Sequence, residues 1–171
     1  MKKQETQNEV KDYVVTNLKG VVKFPYVDSE DDRKSFSCKL ALTENEMKKV
    51  DVICNKLGED MTVSSVVVDD DEMEAIRVKT SFEIPVYDRD GGLIEDDENY
   101  PIYDGARAIL RVQLKKYEYR EKKGRGSFTK KGVTAYLLGA LIVEQGTPTN
   151  NHVTFEDLSK DMDLENDGIE L

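Results

Sequence analysis

The chain has 171 residues, of which 35% are charged and 38% are hydrophobic, and its formal net charge is -10. This length predicts one domain with one core. No run of 18 apolar residues is present, which excludes a membrane-spanning helix, and we expect no secretory signal in MKKQETQNEVKD because it lacks an apolar segment. A single histidine and two cysteines without CxxC spacing argue against a zinc site and fit a cytoplasmic protein, in the host cytoplasm if it is viral.

Charge is distributed unevenly along the chain. Residues 1–105 hold 25 acidic and 14 basic residues, whereas residues 106–131 hold ten Lys and Arg against two acidic residues. Residues 151–171 hold seven acidic residues and one Lys. A pI near 4.7 would by itself argue against nucleic acid. The dense basic block followed by an acidic end says more about partners than the total does.

The first half of the chain predicts two strands and a helix. Residues 14–27 are rich in β-branched and aromatic residues, and residues 36–42 alternate between apolar and polar. Thr43 and Glu46 then fit a capping box, and Gly58 stands where a helix-ending glycine belongs. Apolar residues recur at helical spacing between them and predict one short helix over 43–57: Met47, Val50, Ile53, Cys54 and Leu57.

The second half of the chain predicts mostly strands. These are 63–68, an alternating set from Ile76 through Thr80, Phe82 and Ile84 to Val86, then 106–120 and 128–144, with an acidic loop at 88–105 and a turn at 122–127. A helix is the main rival for 106–120, but its strict alternation favours a strand. Five or six strands and one helix predict a mainly β, OB-like closed barrel of five to six strands, with a β-sandwich as the alternative.

The chain is expected to fall into three parts. Residues 1–12 form a flexible N-terminus, residues 13–146 form the barrel domain, and residues 147–171 form an acidic C-terminal tail. The tail has too few apolar residues to form a core, so we expect it to be disordered.

The predicted strand 106–120 has two distinct faces, because successive side chains in a strand alternate. One face is apolar and is expected in the core: Ala106, Ala108, Leu110, Val112 and Leu114. The other carries three cations and two tyrosines. Cations bind phosphates and flat rings stack on bases, so such a face suits single-stranded nucleic acid. A solvated face with a few Lys and Arg is the alternative.

Neighbouring segments add residues of the same kind. In 128–144 the predicted core face is Val133, Ala135, Leu137, Leu141 and Val143, with aromatic and basic residues opposite. If 106–120 and 128–144 pair as a hairpin, its tip is basic and contains glycine, which permits close approach to a backbone. The predicted nucleic-acid-binding residues are Arg77, Lys79, Arg107, Arg111, Lys115, Tyr117, Tyr119, Lys122, Lys123, Arg125, Phe128, Lys130, Lys131 and Tyr136.

The acidic tail has two interpretations. It either serves solubility alone, or it mimics nucleic acid, occupying the basic surface when DNA is absent and contacting partner proteins when DNA displaces it. Tethering would give it an effective concentration on the order of mM. The predicted partner-binding residues are Phe155, Glu156, Asp157, Asp161, Asp163, Glu165, Asp167, Ile169, Glu170 and Leu171.

The segment YDGARAILRVQLKKYEYREKKGRGSFTKKGVTAYLLGALIVE (103–144), together with the acidic residues of 155–171, resembles bacteriophage-type single-stranded DNA-binding proteins with an OB fold. The resemblance is one of pattern and covers about two-thirds of the chain. It implies coating of single-stranded DNA in replication, recombination and repair, with polymerase, helicase-primase or nuclease recruited through the tail. The family's tail often ends in an aromatic residue, whereas here the last residue is Leu171.

Other functions find less support in the sequence. Residues 69–72 are acidic and residues 88–92 contain glycines, but both fit turns better than metal sites, because the second lacks the ligand spacing of an EF-hand. His152 has no nucleophilic partner nearby, and no phosphate-loop or hydrolase motif occurs. We therefore expect no enzyme, cofactor or metal, and no membrane contact.

The sequence leaves several alternatives open. A non-catalytic β-barrel or sandwich that binds protein, such as a virion component or host-factor inhibitor, is the alternative function. RNA is not separated from DNA, because a 2′-hydroxyl contact has no signature in composition. Whether the chain forms a homodimer is likewise open.

Overall fold

The structure is a computed structural model that describes residues 12–28, 35–95 and 101–147. The predicted tail beyond Thr147 and the first 11 residues lie outside the described part. The strands are β1 (Tyr13–Asp28), β2 (Ser35–Leu42), β3 (Ser64–Val68), β4 (Asp71–Thr80), β5 (Val86–Asp88), β6 (Arg107–Lys123) and β7 (Gly126–Glu144), and the helix is α1 (Glu44–Leu57).

Five of the strands close into a barrel. β1 pairs antiparallel with β2 and with β6, β2 pairs with β4, and β6 pairs with β7. A short parallel pairing of β4 with β7 completes the ring. β3 and β5 extend the sheet at β4 and β7. The predicted closed barrel is therefore confirmed. The alternative, a β-sandwich of two packed sheets, is wrong.

β1 belongs to both sides of the barrel because it changes partner at Gly20. This residue is paired with Leu42 of β2 and with Ala108 of β6. A Cβ at Gly20 would collide with the carbonyl oxygen of Ala41 and would lie 3.0 Å from the Leu40 side chain. Glycine thus permits the close approach of three strands where the barrel turns its corner.

The barrel interior is formed by the alternating apolar faces of its strands. The predicted core face of β6 is confirmed from Ala106 to Leu114, and Cys38 and Cys54 are buried as expected. In β7 the prediction holds up to Leu137 but is wrong for Leu141 and Val143, which are only half-buried. Instead, Ala140 and Ile142 are the buried residues.

A register shift explains the error in β7. Arg111 pairs with Gly139 whereas Val112 pairs with Leu137, so β7 has one residue more than β6 at Leu138. Such a bulge moves the side chains that follow it, Leu141 among them, to the opposite face. Val143 is the extra residue of a second shift, since Ala108 pairs with Ile142 and Arg107 with Glu144. Alternation in the sequence does not reveal a bulge inside an apolar run.

The predicted continuous strand 76–86 is also corrected. β4 ends at Thr80, β5 begins at Val86, and Phe82 is 77% exposed. The Thr80 hydroxyl accepts a hydrogen bond from the N–H of Phe82 at 3.1 Å, which turns the chain out of the strand. Pro85 has no N–H to donate to a ladder, so the alternation that continues in sequence does not continue in pairing.

The predicted helix is confirmed, together with both of its ends. The Thr43 hydroxyl accepts the N–H of Glu46 at 3.3 Å, and Gly58 adopts a left-handed φ of 79°. The Glu46 carboxylate accepts the N–H of Lys19 in β1 at 2.8 Å and therefore ties the first helical turn to the barrel. Within the described residues, no helix is long and apolar enough to cross a membrane.

Candidate nucleic-acid interface

Two adjacent strands of the barrel, β2 and β4, place cations on one outer surface, and β7 adds an aromatic ring beside them. Lys39 of β2 pairs with Arg77 of β4, and Lys79 of β4 pairs with Tyr136 of β7. Beside them lies an open cavity of about 440 Å³, which we call the groove. Its lining residues are Lys39, Met61, Thr62, Ser64, Arg77, Lys79, Tyr117, Val133 and Thr134.

The cations of the groove have no carboxylate partners in the described part of the chain. Arg77 and Lys79 form no ion pair there, and Lys39 donates from Nζ to the Ser64 hydroxyl at 2.9 Å. The Lys79 ammonium lies 5.7 Å from the centre of the Tyr136 ring. Positive charge at the groove is therefore not neutralised by neighbouring side chains, and a phosphate would meet it directly.

Beyond the pairing of β6 with β1, residues 116–133 form a two-stranded ribbon. Its strands are joined by Gly124 and Arg125, and Gly124 has a φ of 65°. A glycine with positive φ suits the first position of a two-residue hairpin loop. The predicted turn at 122–127 is therefore confirmed, and its loop consists of residues 124 and 125 alone. Arg125 thus stands at the ribbon tip.

One face of the ribbon carries aromatic and basic side chains together. Tyr117 pairs with Gly132, Tyr119 pairs with Lys130, and Phe128 lies on the same face one pair further. The Tyr117 and Tyr119 rings stack with centroids 5.9 Å apart and an interplanar angle of 27°. Since Tyr117 also lines the groove, this ribbon face continues the groove towards the hairpin tip.

The remaining predicted cations of the hairpin are placed differently. Lys131 and Lys122 lie on the opposite ribbon face, where Lys131 forms an ion pair with Glu118 at 3.5 Å. Lys115 lies at the base of the ribbon, paired with Tyr13 of β1. The side chain of Lys123 is outside the described part of the structure.

Two predicted arginines stand apart from the groove. Arg107 donates to Asp69 at 3.0 Å and lies 3.9 Å from a Glu144 oxygen. Arg111 donates to the Asn17 side chain at 3.2 Å. Neither residue lines the groove, and the charge of Arg107 is compensated by two carboxylates.

Sequence reasoning missed two residues of this surface, Lys39 and Phe24. Lys39 had a signal, since Phe36, Cys38 and Leu40 alternate inward and therefore direct Lys39 outward. Phe24 lines a second cavity of about 280 Å³ that shares Lys39 and Arg77 with the groove. Its exposure follows from a bulge in β1, for which the sequence offered no pattern.

The described residues also bear on nucleophilic and metal chemistry. Burial raises the pKa of Cys38 to about 12, and burial followed by the charges of Asp51 and Asp60 raises the pKa of Cys54. Both thiols are thus poor nucleophiles. The predicted turn at 88–92 is confirmed, since Asp88 accepts the N–H groups of Asp90 and Gly92, both at 2.9 Å. The described residues include no group of three His, Cys, Asp or Glu placed to hold a metal ion.

No protein-family model and no curated protein sequence matches the chain. Among solved structures, gp2.5, a single-stranded DNA-binding protein of bacteriophage T7, is similar with a TM-score of 0.51 and 15% identity, covering 87% of this chain and 94% of that one. The single-stranded DNA-binding protein of bacteriophage Enc34 is similar with a TM-score of 0.51 and 16% identity, covering 88% and 96%. Its C-terminal truncation gives a TM-score of 0.52 with 16% identity over 83% and 95%.

These likenesses extend over nearly the whole length of the matched chains, and with TM-scores just above 0.5 at 15–16% identity they show a shared fold alone. The family resemblance of residues 103–144 is thereby confirmed at the level of the fold. This chain has the closed-barrel fold of bacteriophage single-stranded DNA-binding proteins.

Proposed function

We propose that the chain binds single-stranded DNA without sequence preference during bacteriophage DNA replication and recombination. The observation that carries this proposal is the groove, where Lys39, Arg77 and Lys79 stand without carboxylate partners among the described residues and beside Tyr117. The shared fold supports it, because each of the similar structures is named as a single-stranded DNA-binding protein.

The chemistry of the surface suits a single strand better than a duplex. Tyrosine rings can stack on the bases of a single strand, whereas the bases of a duplex are already paired and stacked. Stacking on an aromatic side chain contributes about 1–3 kcal/mol per base, whichever base it is. Tyr117, Tyr119 and Tyr136 provide rings, while Arg77 and Lys79 provide charge for the phosphates between them. Every base has a π-face, so stacking on this surface favours no particular sequence.

We also propose that the acidic tail competes with DNA for the groove and recruits replication proteins such as a polymerase or helicase-primase. Its seven acidic residues in 151–171 complement the unpaired cations. Thr147, the last residue that the structure describes, donates its N–H to the carbonyl of Asp104 at 2.9 Å. The Asp104 carboxylate in turn contacts Lys23 and Phe24, so the tail begins beside one end of the surface.

Fluorescence anisotropy with a labelled ~30-nucleotide oligo-dT tests the binding proposal. The variant Arg77→Ala/Lys79→Ala should bind at least about tenfold more weakly than the original chain, because charge-assisted bonds contribute more than neutral ones. Lys48→Ala removes the same kind of charge from an exposed position on α1 and is the matched control. If about 4–6 phosphates are neutralised, the log–log salt slope of the original chain should be about -3 to -4.

Two further arms separate the parts of the proposal. A chain ending at Thr147 should bind oligo-dT more tightly than the full chain, with the larger gain at low salt, if the tail competes. Equal affinities of the two chains would contradict competition by the tail but would leave the DNA-binding proposal standing. No binding at low salt by either chain would overturn the proposed function, and a protein partner for the basic surface would then be sought. Oligo-rU in the same assay compares RNA with DNA.

A further inference from the structure

Phe24 is an exposed aromatic residue held in a strained backbone conformation. It lies in β1 where pairing jumps from Lys23 opposite Lys39 to Tyr26 opposite Ser37, which leaves one extra residue in β1. Its φ is 52°, in the left-handed region that a bulky residue rarely adopts, and its side chain is 62% exposed. Residues in such conformations persist only where their surroundings impose them, and they cluster at binding sites.

The surroundings that hold Phe24 are specific. The Asp104 carboxylate accepts the N–H of Phe24 at 2.9 Å and forms an ion pair with Lys23 at 3.5 Å. The Lys23 ammonium lies 5.7 Å from the centre of the Phe24 ring. One carboxylate therefore fixes both the bulged backbone and the cation beside the ring, while burial of the ring itself contributes little.

The position of Phe24 links it to the groove. The ring lines a cavity of about 280 Å³ whose other lining residues are Ser37, Cys38, Lys39 and Arg77. Lys39 and Arg77 also line the groove, in which Tyr117 lies on the far side. An aromatic side chain thus stands at each side of the same two cations.

We propose that Phe24 stacks on a nucleobase at the β1 side of the groove, so that a bound single strand crosses β1, β2, β4 and β7 between Phe24 and the tyrosines. This inference rests on the proposed function. A base is the occupant that fits, because the cavity combines an exposed ring with Lys39 and Arg77, which complement the phosphate flanking that base. An apolar protein segment would leave both charges unsatisfied.

The test uses oligo-dT anisotropy together with thermal unfolding. Phe24→Ala and Phe24→Gly both remove the ring and should weaken binding by about fivefold or more, because stacking on one base is lost. Phe24→Gly also removes the Cβ that is strained at positive φ, so its Tm should exceed that of Phe24→Ala. Phe24→Tyr should keep the original affinity, and Phe24→Leu, apolar but without a π-face, should not.

Controls keep the inference separate from the proposed function. Tyr87→Ala removes an exposed aromatic residue of β5 that lines neither cavity and should bind as the original chain does. If Phe24→Gly and Phe24→Leu bind as tightly as the original chain while Arg77→Ala/Lys79→Ala binds weakly, Phe24 is no base contact and the inference is overturned although DNA binding stands. If the original chain itself does not bind oligo-dT, the proposed function fails, and the inference with it.

Discussion

The ring of Tyr117 lies across the backbone of Gly132. The two residues are directly paired between β6 and β7, and a Cβ built at Gly132 would come within 2.6 Å of the Tyr117 hydroxyl and 2.8 Å of its ring carbon Cζ. Because Gly132 has no side chain, the Tyr117 ring can lie flat against the backbone where it lines the groove, with Tyr119 stacked beside it. A glycine within a strand often marks such a close approach.

Gly132→Ala should therefore weaken binding without touching the DNA. The new methyl group forces the Tyr117 ring to move, and we expect an affinity loss approaching that of Tyr117→Ala, about 1–3 kcal/mol at most. Gly126→Ala is the matched control, because a Cβ there meets nothing within 4 Å. Anisotropy titration checks this, and quenching of tyrosine fluorescence reports on the rings because the chain has no tryptophan. Equal affinity of both variants would contradict the proposed role of the Tyr117 position.

Arg77 and Arg107 should behave differently although both are arginines on outer strand faces. Arg77 has no carboxylate partner in the described part of the chain, whereas Arg107 contacts Asp69 and Glu144. Arg77→Ala should reduce the magnitude of the log–log salt slope by about 0.7, one phosphate's share for a single strand. Arg107→Ala should leave slope and affinity nearly unchanged. Equal losses for the two variants would show that the bound strand extends well beyond the groove.

The ion pair and the hydrogen bond of Glu46 should make the free energy of unfolding depend on pH. Burial opposes ionisation of this carboxyl, but the Lys19 N–H and the Lys49 ammonium outweigh it and lower the pKa below its usual 4.5. A lowered pKa in the folded state contributes stability above the unfolded value, which is lost as pH falls through the folded value. Glu46→Gln should lower Tm at pH 7, and the difference from the original chain should shrink below about pH 4.5. Glu44→Gln, in the same helical turn, is the control, and a pH-independent difference would contradict the prediction.

The buried thiols should react only when the protein opens. Burial raises the pKa of Cys38 to about 12, so almost no thiolate is present at pH 8, and Cys54 is likewise shifted upward. A thiol reagent added to the native protein should modify both cysteines slowly, at a rate set by opening of the barrel. Unfolding in denaturant should release two reactive thiols at once. Rapid modification of Cys38 in the native state would contradict its place in the core.

Local patterns predicted the helix and most of the strands because the physics there is local. Thr43, Glu46 and Gly58 define the helix ends within a few residues of sequence, and the apolar face of β6 follows from alternation alone. Where the pattern continued but the pairing did not, the prediction was wrong. Leu141 shows this, because a bulge at Leu138 reverses its face.

The candidate surface was predictable only in part, because it is assembled from strands far apart in sequence. Arg77, Lys79, Tyr117 and Tyr136 were chosen for their chemistry, and closure of the barrel brings them to one side. The sequence around Arg107 does not predict its contact with Asp69, because the two residues are far apart along the chain.

The parallel contact between β4 and β7 is far shorter than the pairings on either side of it. It consists of two residue pairs, Val78 with Ala135 and Lys79 with Tyr136, whereas β6 and β7 pair along nearly their whole length. Because so few hydrogen bonds close the ring, local opening should begin there, and its amides should exchange with solvent early. Lys79 and Tyr136 also belong to the proposed DNA surface, so a bound strand would contact both β4 and β7 and stabilise the pairing between them. We therefore expect oligo-dT to slow hydrogen exchange at the β4–β7 pairing more than elsewhere in the barrel. DNA binding would then also stabilise the closed barrel.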